Sequence, residues 1–429
     1  MDKIVIRGGK PLYGTIETGG MKNSSLPVLF ATILVKGPCV IENLPPIDDV
    51  STSLSILESM GASVRMLDRT TVKVDTGNIR CGSAPYEMSR HMRGSYYIAG
   101  AELGRFGRTK VPLPGGCDFG QRPIDQHIKG FETLGASVVL ENGYIKAIAE
   151  GGLHGDSVFM DVVSVGATIN IILASVLADG VTTIDSAAKE PHVVDLANFL
   201  NACGADITGA GTDVIKIKGV PSLSGVTYAV LPDMIEAGTY MIAAAATRGR
   251  LTISNVIPKH LESITAKLRE MGAFVDEHDT SVDVWTDDAP FRGVRLKTQP
   301  YPGFPTDMNP QICVMMCLAE SDSMLREGVW ESRFRYVKEL VRMGADITVE
   351  SKTAYIKGKG SLKGAAVKSV DLRAGAAMVI AGLAAEGTTE ITDIYHIERG
   401  YENMVEKLRA VGADIQKVSV PDAVDSAAV

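Results

Sequence analysis

The stretch richest in chemistry is Pro114-Gly115-Gly116-Cys117-Asp118-Phe119-Gly120-Gln121-Arg122-Pro123. Its three glycines and two prolines exclude the interior of a helix or strand. It reads as a loop, the kind of segment on which binding and catalytic groups concentrate. Cys117 stands five residues from Arg122. A thiol near a fixed positive charge has a lowered pKa and serves as an acid or a nucleophile. Taken alone, the same cysteine fits equally well as a small apolar filler under the loop.

Other candidates are spread along the chain: Lys22, Arg93, Arg333, Arg373 and Arg399, with Asp307 among them. Arginines in such numbers suit bidentate recognition of phosphate and carboxylate. For these groups to act together, a repeating scaffold must bring distant segments to one place. The sequence carries such a repeat. A Gly-Ala pair ends an amphipathic stretch at Gly61, Gly135, Gly204, Gly272, Gly344 and Gly412, at intervals of 68 to 74 residues. Glycine there fits a left-handed helix C-terminus leading into a strand. Each unit reads as strand, turn, helix, strand, turn, amphipathic helix, and one or two closing strands. The first helix of each unit, as in residues 167–177 and 374–383, is apolar on nearly every side and rich in small residues, so it is expected to be buried on every side.

Six units divide into three and three. The expected fold is α/β, two domains of three units each, with helices packed inside sheets. The boundaries read as 22–230 for the first domain and 1–21 with 231–418 for the second, the N-terminal strand completing the C-terminal half and 419–429 forming a loose tail. Aligned on Gly-Ala, the polar outliers fall at two turns per unit. The turn before the first helix holds Lys22-Asn23, Arg93, Ser164-Val165-Gly166, Asp233 with Glu236, Asp307, or Arg373. The turn before the second holds Cys117 and Arg122, Glu190, Lys259-His260, Arg333, or Arg399. Equivalent turns of a repeat face the same end of a domain, near helix N-termini that favour anions. The expectation is a cationic cleft that holds an anionic small molecule between the two halves.

Composition narrows the class. With 429 residues, 45% hydrophobic and 22% charged, the chain is ordinary for a globular protein. A net charge of −8 argues against general nucleic-acid binding. The six cysteines make no disulfide framework, and Cys313 and Cys317, inside an apolar run, read as core rather than metal ligands. No apolar leader opens the chain and no uncharged run reaches the length of a membrane span, so a reduced, cytoplasmic setting is expected, with no membrane and no nucleic-acid partner.

The motifs Met21-Lys22-Asn23, Met92-Arg93-Gly94-Ser95, Leu113-Pro114-Gly115-Gly116-Cys117, Arg122-Pro123, Ser164-Val165-Gly166-Ala167, Phe304-Pro305-Thr306-Asp307-Met308, Asp371-Leu372-Arg373-Ala374 and Ile397-Glu398-Arg399-Gly400-Tyr401 together resemble those of the UDP-N-acetylglucosamine enolpyruvyl transferases, over about residues 1 to 418. The resemblance implies the inside-out α/β prism fold. It implies transfer of the enolpyruvyl group of phosphoenolpyruvate to the sugar 3-hydroxyl of UDP-N-acetylglucosamine, with release of phosphate. That reaction opens peptidoglycan synthesis, hence cell-wall biogenesis, cell shape and division, and is the fosfomycin target. Carried over, Lys22, Arg122 and Arg399 hold the phosphate, and Arg373 with Arg399 the carboxylate, of phosphoenolpyruvate. Cys117 is the general acid, able to form a covalent adduct, and Asp307 takes the proton of the sugar hydroxyl. Asn23 orients the sugar, Arg122, Pro123, Ile124 and Asp125 the uridine, and Ser164, Val165 and Gly166 the diphosphate. Arg93 and Arg333 complete the cationic cluster, and Val329 joins the substrate-binding set. No metal or cofactor is implied, and oligomeric state is left open. Met21, Gln121, Met234 and Gly375 depart from the family pattern without removing any of these groups. Shikimate 3-phosphate as acceptor, and a non-catalytic nucleotide-sugar sensor, are the rival readings. The Cys117 loop and the Ser164-Val165-Gly166 turn speak against the first, and the intact reactive groups against the second.

Overall fold

The computed structural model describes residues 2–113 and 124–419, and of residues 90, 91 and 93 the backbone alone. All six repeat glycines take positive φ, between 90° and 110°. At each one the following alanine N–H reaches back to the helix, as from Ala62 to the Leu57 carbonyl (2.9 Å) and from Ala345 to that of Leu340 (3.1 Å). This 6→1 bond closes the helix and turns the chain into the next strand, and only a residue without a Cβ enters that conformation at no cost. The helices so ended are Asp48–Met60, Asp125–Thr133, Pro191–Ala202, Pro258–Met271, Val337–Arg342 and Met404–Ala410.

Six further helices form the interior, apart from the short Tyr86–His91 and Tyr395–Glu398. Lys22–Ala31, Tyr97–Phe106 and Val165–Ser175 lie in one half of the chain, and Met234–Ala246, Asn309–Cys317 and Leu372–Ala384 in the other. Every residue of Met234–Ala246 and of Asn309–Cys317 is buried, Cys313 and Cys317 included. Their small residues let backbones approach closely: a Cβ on Gly100 would stand 2.5 Å from the Asn170 carbonyl oxygen, and one on Gly104 2.6 Å from that of Leu173. Strands around them bury alternate residues, as Val181–Asp185 does with Thr182 and Ile184. Helices inside and half-exposed sheets outside make an inside-out α/β prism.

The chain divides into two compact units, Gly19–Pro232 and Met1–Thr18 with Asp233–Val429. In the second, three four-stranded sheets share one order: two parallel strands, then two antiparallel ones. Tyr13–Glu17 runs parallel to Arg250–Ser254, which pairs antiparallel with Ser281–Trp285, itself beside Phe274–Glu277. Arg295–Lys297 opens the next sheet in the same way, leading to Thr353–Lys357 at its third place. In the last sheet that third place goes to the N-terminal strand Asp2–Arg7, antiparallel to both Thr388–Thr392 and Asp414–Ser419. The sixth repeat supplies three strands and the start of the chain supplies the fourth.

The first unit repeats the scheme. Thr227–Ala229, Cys39–Glu42, Val72–Asp75 and Ser63–Met66 form one sheet, and Ser157–Phe159, Val181–Asp185, Val214–Lys218 and Asp206–Thr208 another. Among the described residues the third has three strands, Arg108–Pro112, Tyr144–Ile148 and Ser137–Glu141. Also among them, no helix is long and apolar enough to cross a membrane.

Candidate active site

In the unit that holds Asp233–Val429, turns from two successive repeats meet. Asp307 lies in the 3-10 turn Thr306–Met308, which leads into the buried helix Asn309–Cys317. Arg373 is the second residue of Leu372–Ala384, whose N-terminus is capped by Asp371 Oδ1 accepting from the Arg373 and Ala374 N–H groups (2.8 and 2.9 Å). Arg333 opens the 3-10 turn Arg333–Tyr336. One Asp307 oxygen accepts from Arg373 Nε (3.2 Å) and faces its Nη2 (3.1 Å), while the other lies 3.4 Å from Arg333 Nη2. Both guanidinium side chains are buried, 3% and 4% exposed, and Asp307 is 29% exposed. Thus a half-open carboxylate is aimed by two buried cations.

Burial opposes the charge on Arg373, but Tyr401, Asp307 and Asp233 outweigh it and hold the guanidinium above its ordinary range. The Arg373 guanidinium sits 5.4 Å from the centre of the Tyr401 ring. Tyr401 is itself fixed by Thr239 Oγ1 (3.0 Å) and by Gln311 Nε2 donating to its hydroxyl (3.2 Å). Arg373 Nη1 is buried and has no hydrogen-bond partner among the described residues. A buried donor without a partner is costly, which fits a group waiting for an anion. Val329, which is exposed, donates its N–H to Glu327 Oε1 (2.8 Å).

Arg399 lies in the turn that precedes the second helix of its repeat: it caps the C-terminus of the short helix Tyr395–Glu398, ahead of Met404–Ala410. The Ile397 and Glu398 N–H groups donate to the Ile394 carbonyl to make the short helix, and the Gly400 and Tyr401 N–H groups close its end on the Ile397 carbonyl. Arg399 is half-buried there, and it joins burial in pushing the His396 imidazole below its ordinary range.

In the unit Gly19–Pro232, Lys22 and Asn23 start the helix Lys22–Ala31. Lys22 Nζ pairs with Asp49 Oδ2 at 2.6 Å, both side chains about nine-tenths buried. The N-terminus of that helix is anchored by Asp195, which is fully buried. Its carboxylate accepts from Ser24 Oγ, Tyr228 OH and the Leu231 N–H. Burial pushes the Asp195 carboxyl up, and those donors pull it partly back.

Ser164 caps Val165–Ser175, its Oγ accepting from the Ala167 N–H (3.3 Å). Val165 and Gly166 are therefore the first helical residues, whose N–H groups lack intrahelical acceptors and suit an anion. Gly166 is required by its neighbours: a Cβ there would stand 2.4 Å from the Tyr96 hydroxyl and 3.2 Å from the His127 ring. His127 is oriented in turn by Asn170. The Gly100 N–H donates to Asn170 Oδ1 (2.9 Å), which leaves Asn170 Nδ2 to face His127 Nδ1 at 3.0 Å. Ile124 and Asp125 stand at the start of Asp125–Thr133, where Asp125 Oδ2 accepts from Gln126 Nε2 (2.9 Å). Cys117, Arg122 and Pro123 lie outside the described residues, as does the side chain of Arg93, whose backbone opens the 3-10 turn Arg93–Tyr96.

Sequence reasoning passed over Asp49, Asp195 and Glu327. A signal for Asp49 was present, because it precedes Gly61 by about the spacing that separates Arg333 from Gly344 and Arg399 from Gly412. Asp195 and Glu327 carried none, since all of the Asp195 partners and the side-chain partners of Glu327 come from other segments. Among the described residues, no group of three or more His, Cys, Asp and Glu side chains converges as metal ligands would.

Residues 6–408 match the family model described as EPSP synthase (3-phosphoshikimate 1-carboxyvinyltransferase). A UDP-N-acetylglucosamine 1-carboxyvinyltransferase of Caldanaerobacter subterraneus is 54% identical over 97% of this chain and 100% of its own length. The enzyme of that name from Clostridium botulinum shows the same identity and coverage. The chain belongs to the UDP-N-acetylglucosamine 1-carboxyvinyltransferase family. Among solved structures, the enolpyruvyl transferase NikO from Streptomyces tendae superposes with a TM-score of 0.89, at 26% identity over 98% of this chain and 99% of that one. An EPSP synthase from Acinetobacter baumannii, 19% identical over 98% of this chain and 100% of its own, shares the fold with a TM-score of 0.75.

Proposed function

We propose that this chain transfers the enolpyruvyl group of phosphoenolpyruvate to the 3-hydroxyl of UDP-N-acetylglucosamine and releases inorganic phosphate. The observation that carries the reading is Asp307 held by two buried guanidinium groups, in a chain 54% identical to enzymes of that name. The reaction is an addition followed by an elimination. A proton is delivered to the methylene carbon of phosphoenolpyruvate while the sugar oxygen attacks its C2. Loss of a proton from the methyl group of the tetrahedral adduct and departure of phosphate then regenerate the double bond.

Each step asks for a group this chain has. Asp307 takes the proton of the attacking hydroxyl, within a general-base range of about 10²–10⁴-fold. Cys117 is the acid that protonates the methylene carbon. Lys22, Arg122 and Arg399 hold the phosphate and stabilise the charge it gathers on leaving, and Arg373 with Arg399 binds the carboxylate. Arg93 and Arg333 add positive charge. Asn23 orients the sugar, Val329 belongs to the substrate-binding set, the N-terminus of Val165–Ser175 takes the diphosphate, and Arg122, Pro123, Ile124 and Asp125 take the uridine. The work is done in the cytoplasm, as the entry step to peptidoglycan.

A phosphate-release assay tests the reading. Purified protein is given phosphoenolpyruvate with UDP-N-acetylglucosamine, and separately with shikimate 3-phosphate. Release with the nucleotide sugar alone is expected. Release with shikimate 3-phosphate alone would move the chain to the other acceptor named by its family model. Binding of the nucleotide sugar with no turnover would make it a sensor.

A further inference from the structure

One buried carboxylate that the proposed mechanism does not use joins both sides of the Asp307 cluster. Glu327 follows the strand Ser323–Arg326 and is 1% exposed. Its Oε2 accepts from Asn309 Nδ2 (2.8 Å) and Thr306 Oγ1 (3.1 Å). Its Oε1 accepts from the N–H groups of Val329 (2.8 Å) and Trp330 (3.1 Å). Thr306 and Asn309 flank Asp307. Val329 and Trp330 lead into the turn that presents Arg333. Both partners of the 3.4 Å Arg333–Asp307 contact are thus held, each through its own loop, by the two ends of one side chain.

We propose that Glu327 is a positioning residue of the transfer reaction, setting the direction in which Asp307 and Arg333 face substrate. The inference rests on the functional reading above. A buried carboxylate is an expensive way to tie loops together, because taking the charge from water costs several kcal/mol unless every lone pair is satisfied. Here each oxygen has two donors, and none of the four is a charged group. What such an arrangement supplies is direction. A carboxylate fixes two donors at each end in one plane, and a catalytic base is effective only when held within fractions of an ångström of its working place.

Glutamine cannot reproduce the pattern. Its amide nitrogen would face two donors at whichever end it took. At the Oε1 end those donors are backbone N–H groups that cannot rotate. At the Oε2 end Asn309 cannot simply flip, because its Oδ1 already accepts from the buried Tyr336 hydroxyl (2.7 Å). The cheapest relief is movement of the Thr306–Met308 turn or of the Val329–Trp330 turn, and either one displaces a working group.

The test is steady-state kinetics of the full chain and Glu327→Gln, with phosphoenolpyruvate and UDP-N-acetylglucosamine each varied and the urea midpoint of both proteins measured. The expected result is a loss in kcat of about 30-fold or more, or about 2 kcal/mol of barrier, with both KM values within about threefold of the parent. A merely structural staple would lower the urea midpoint and leave kcat per folded molecule unchanged, and that result overturns the proposal. Should Glu327→Gln fail to fold, Thr306→Val decides. It removes one donor and keeps the carboxylate, and kcat should fall about three- to tenfold; a value within twofold of the parent overturns the proposal. The parent chain separates the two claims. If it shows no transfer, the functional reading falls and this inference with it. If it turns over and both variants match it, only the positioning role falls.

Discussion

Replacing Asp307 with alanine should uncouple anion binding from chemistry. The carboxylate lies 3.1 and 3.2 Å from two nitrogens of Arg373 and 3.4 Å from one of Arg333. Unit charges about 4 Å apart attract by about 4 kcal/mol at an effective dielectric of 20 and by about 1 kcal/mol in water. Asp307 is 29% exposed, so each pair falls in the lower part of that range. Any anion that approaches the same guanidinium groups must share them with Asp307 and is repelled by it. Without the carboxylate, phosphoenolpyruvate and inorganic phosphate should bind about 3- to 30-fold tighter, while kcat drops about 10²–10⁴-fold as the base is lost. The apo protein should also be less stable. Breaking a fully buried pair costs about 3–5 kcal/mol, and the exposure of Asp307 reduces this to about 1–2 kcal/mol, or several degrees of melting temperature for a unit of this size. Millimolar phosphate should restore most of that loss, because a ligand that binds only the folded state stabilises it by mass action. Calorimetric titration with phosphate, melting curves with and without phosphate, and phosphate release together check the argument. A variant with turnover within tenfold of the parent, or one that phosphate does not protect more than the parent, refutes it.

Cys117→Ser should lower kcat by at least about 10²-fold and abolish covalent labelling by a phosphonate epoxide such as fosfomycin; mass spectrometry that finds the label on the variant would remove Cys117 from the chemistry. Gly375→Ser should destabilise by about 1–3 kcal/mol, because the new Cβ would stand 2.3 Å from Ser369 Oγ and 2.5 Å from Ile397 Cγ1. An unchanged urea midpoint would show that this neighbourhood gives way without strain. Glu102 is fully buried, accepting from the Gly82 N–H and Thr109 Oγ1 (2.7 Å each), and burial pushes its carboxyl above the ordinary 4.5. The folded protein then holds that proton more tightly than the unfolded chain. The stability gained is fully present at and below pH 4.5 and is lost as pH rises through the raised value. Denaturation curves between pH 4.5 and 8 should therefore show the parent losing stability relative to Glu102→Gln as pH rises, and parallel curves would contradict the shift.

What could be read in the sequence and what could not follow from how local each requirement is. The glycines at 61, 135, 204, 272, 344 and 412 announce themselves because a left-handed helix end is a demand on one residue, and all six take positive φ. Met234–Ala246 and Asn309–Cys317 are legible for a similar reason, since a helix with no polar face must be enclosed. The sequence also sends the N-terminal strand to the C-terminal half, and the structure seats Asp2–Arg7 in the sheet of the sixth repeat. Asp307 and Arg373 could be set on equivalent turns, and Arg333 on the second turn of its repeat, by aligning the repeats, but their spacing of 3.1 to 3.4 Å could not. That distance depends on what holds the turns. In Leu325-Arg326-Glu327-Gly328-Val329, glutamate between arginine and glycine has every local mark of a solvated residue. It becomes a buried acceptor of four hydrogen bonds only when Thr306 and Asn309 arrive from a separate segment. Asp195 is the same case, at the foot of the helix that carries Lys22. The groups proposed to react sit at turn positions that the repeat marks. The buried carboxylates beneath those turns are specified by three-dimensional neighbours, so a search for further positioning residues should begin from buried acceptors whose donors flank a marked turn.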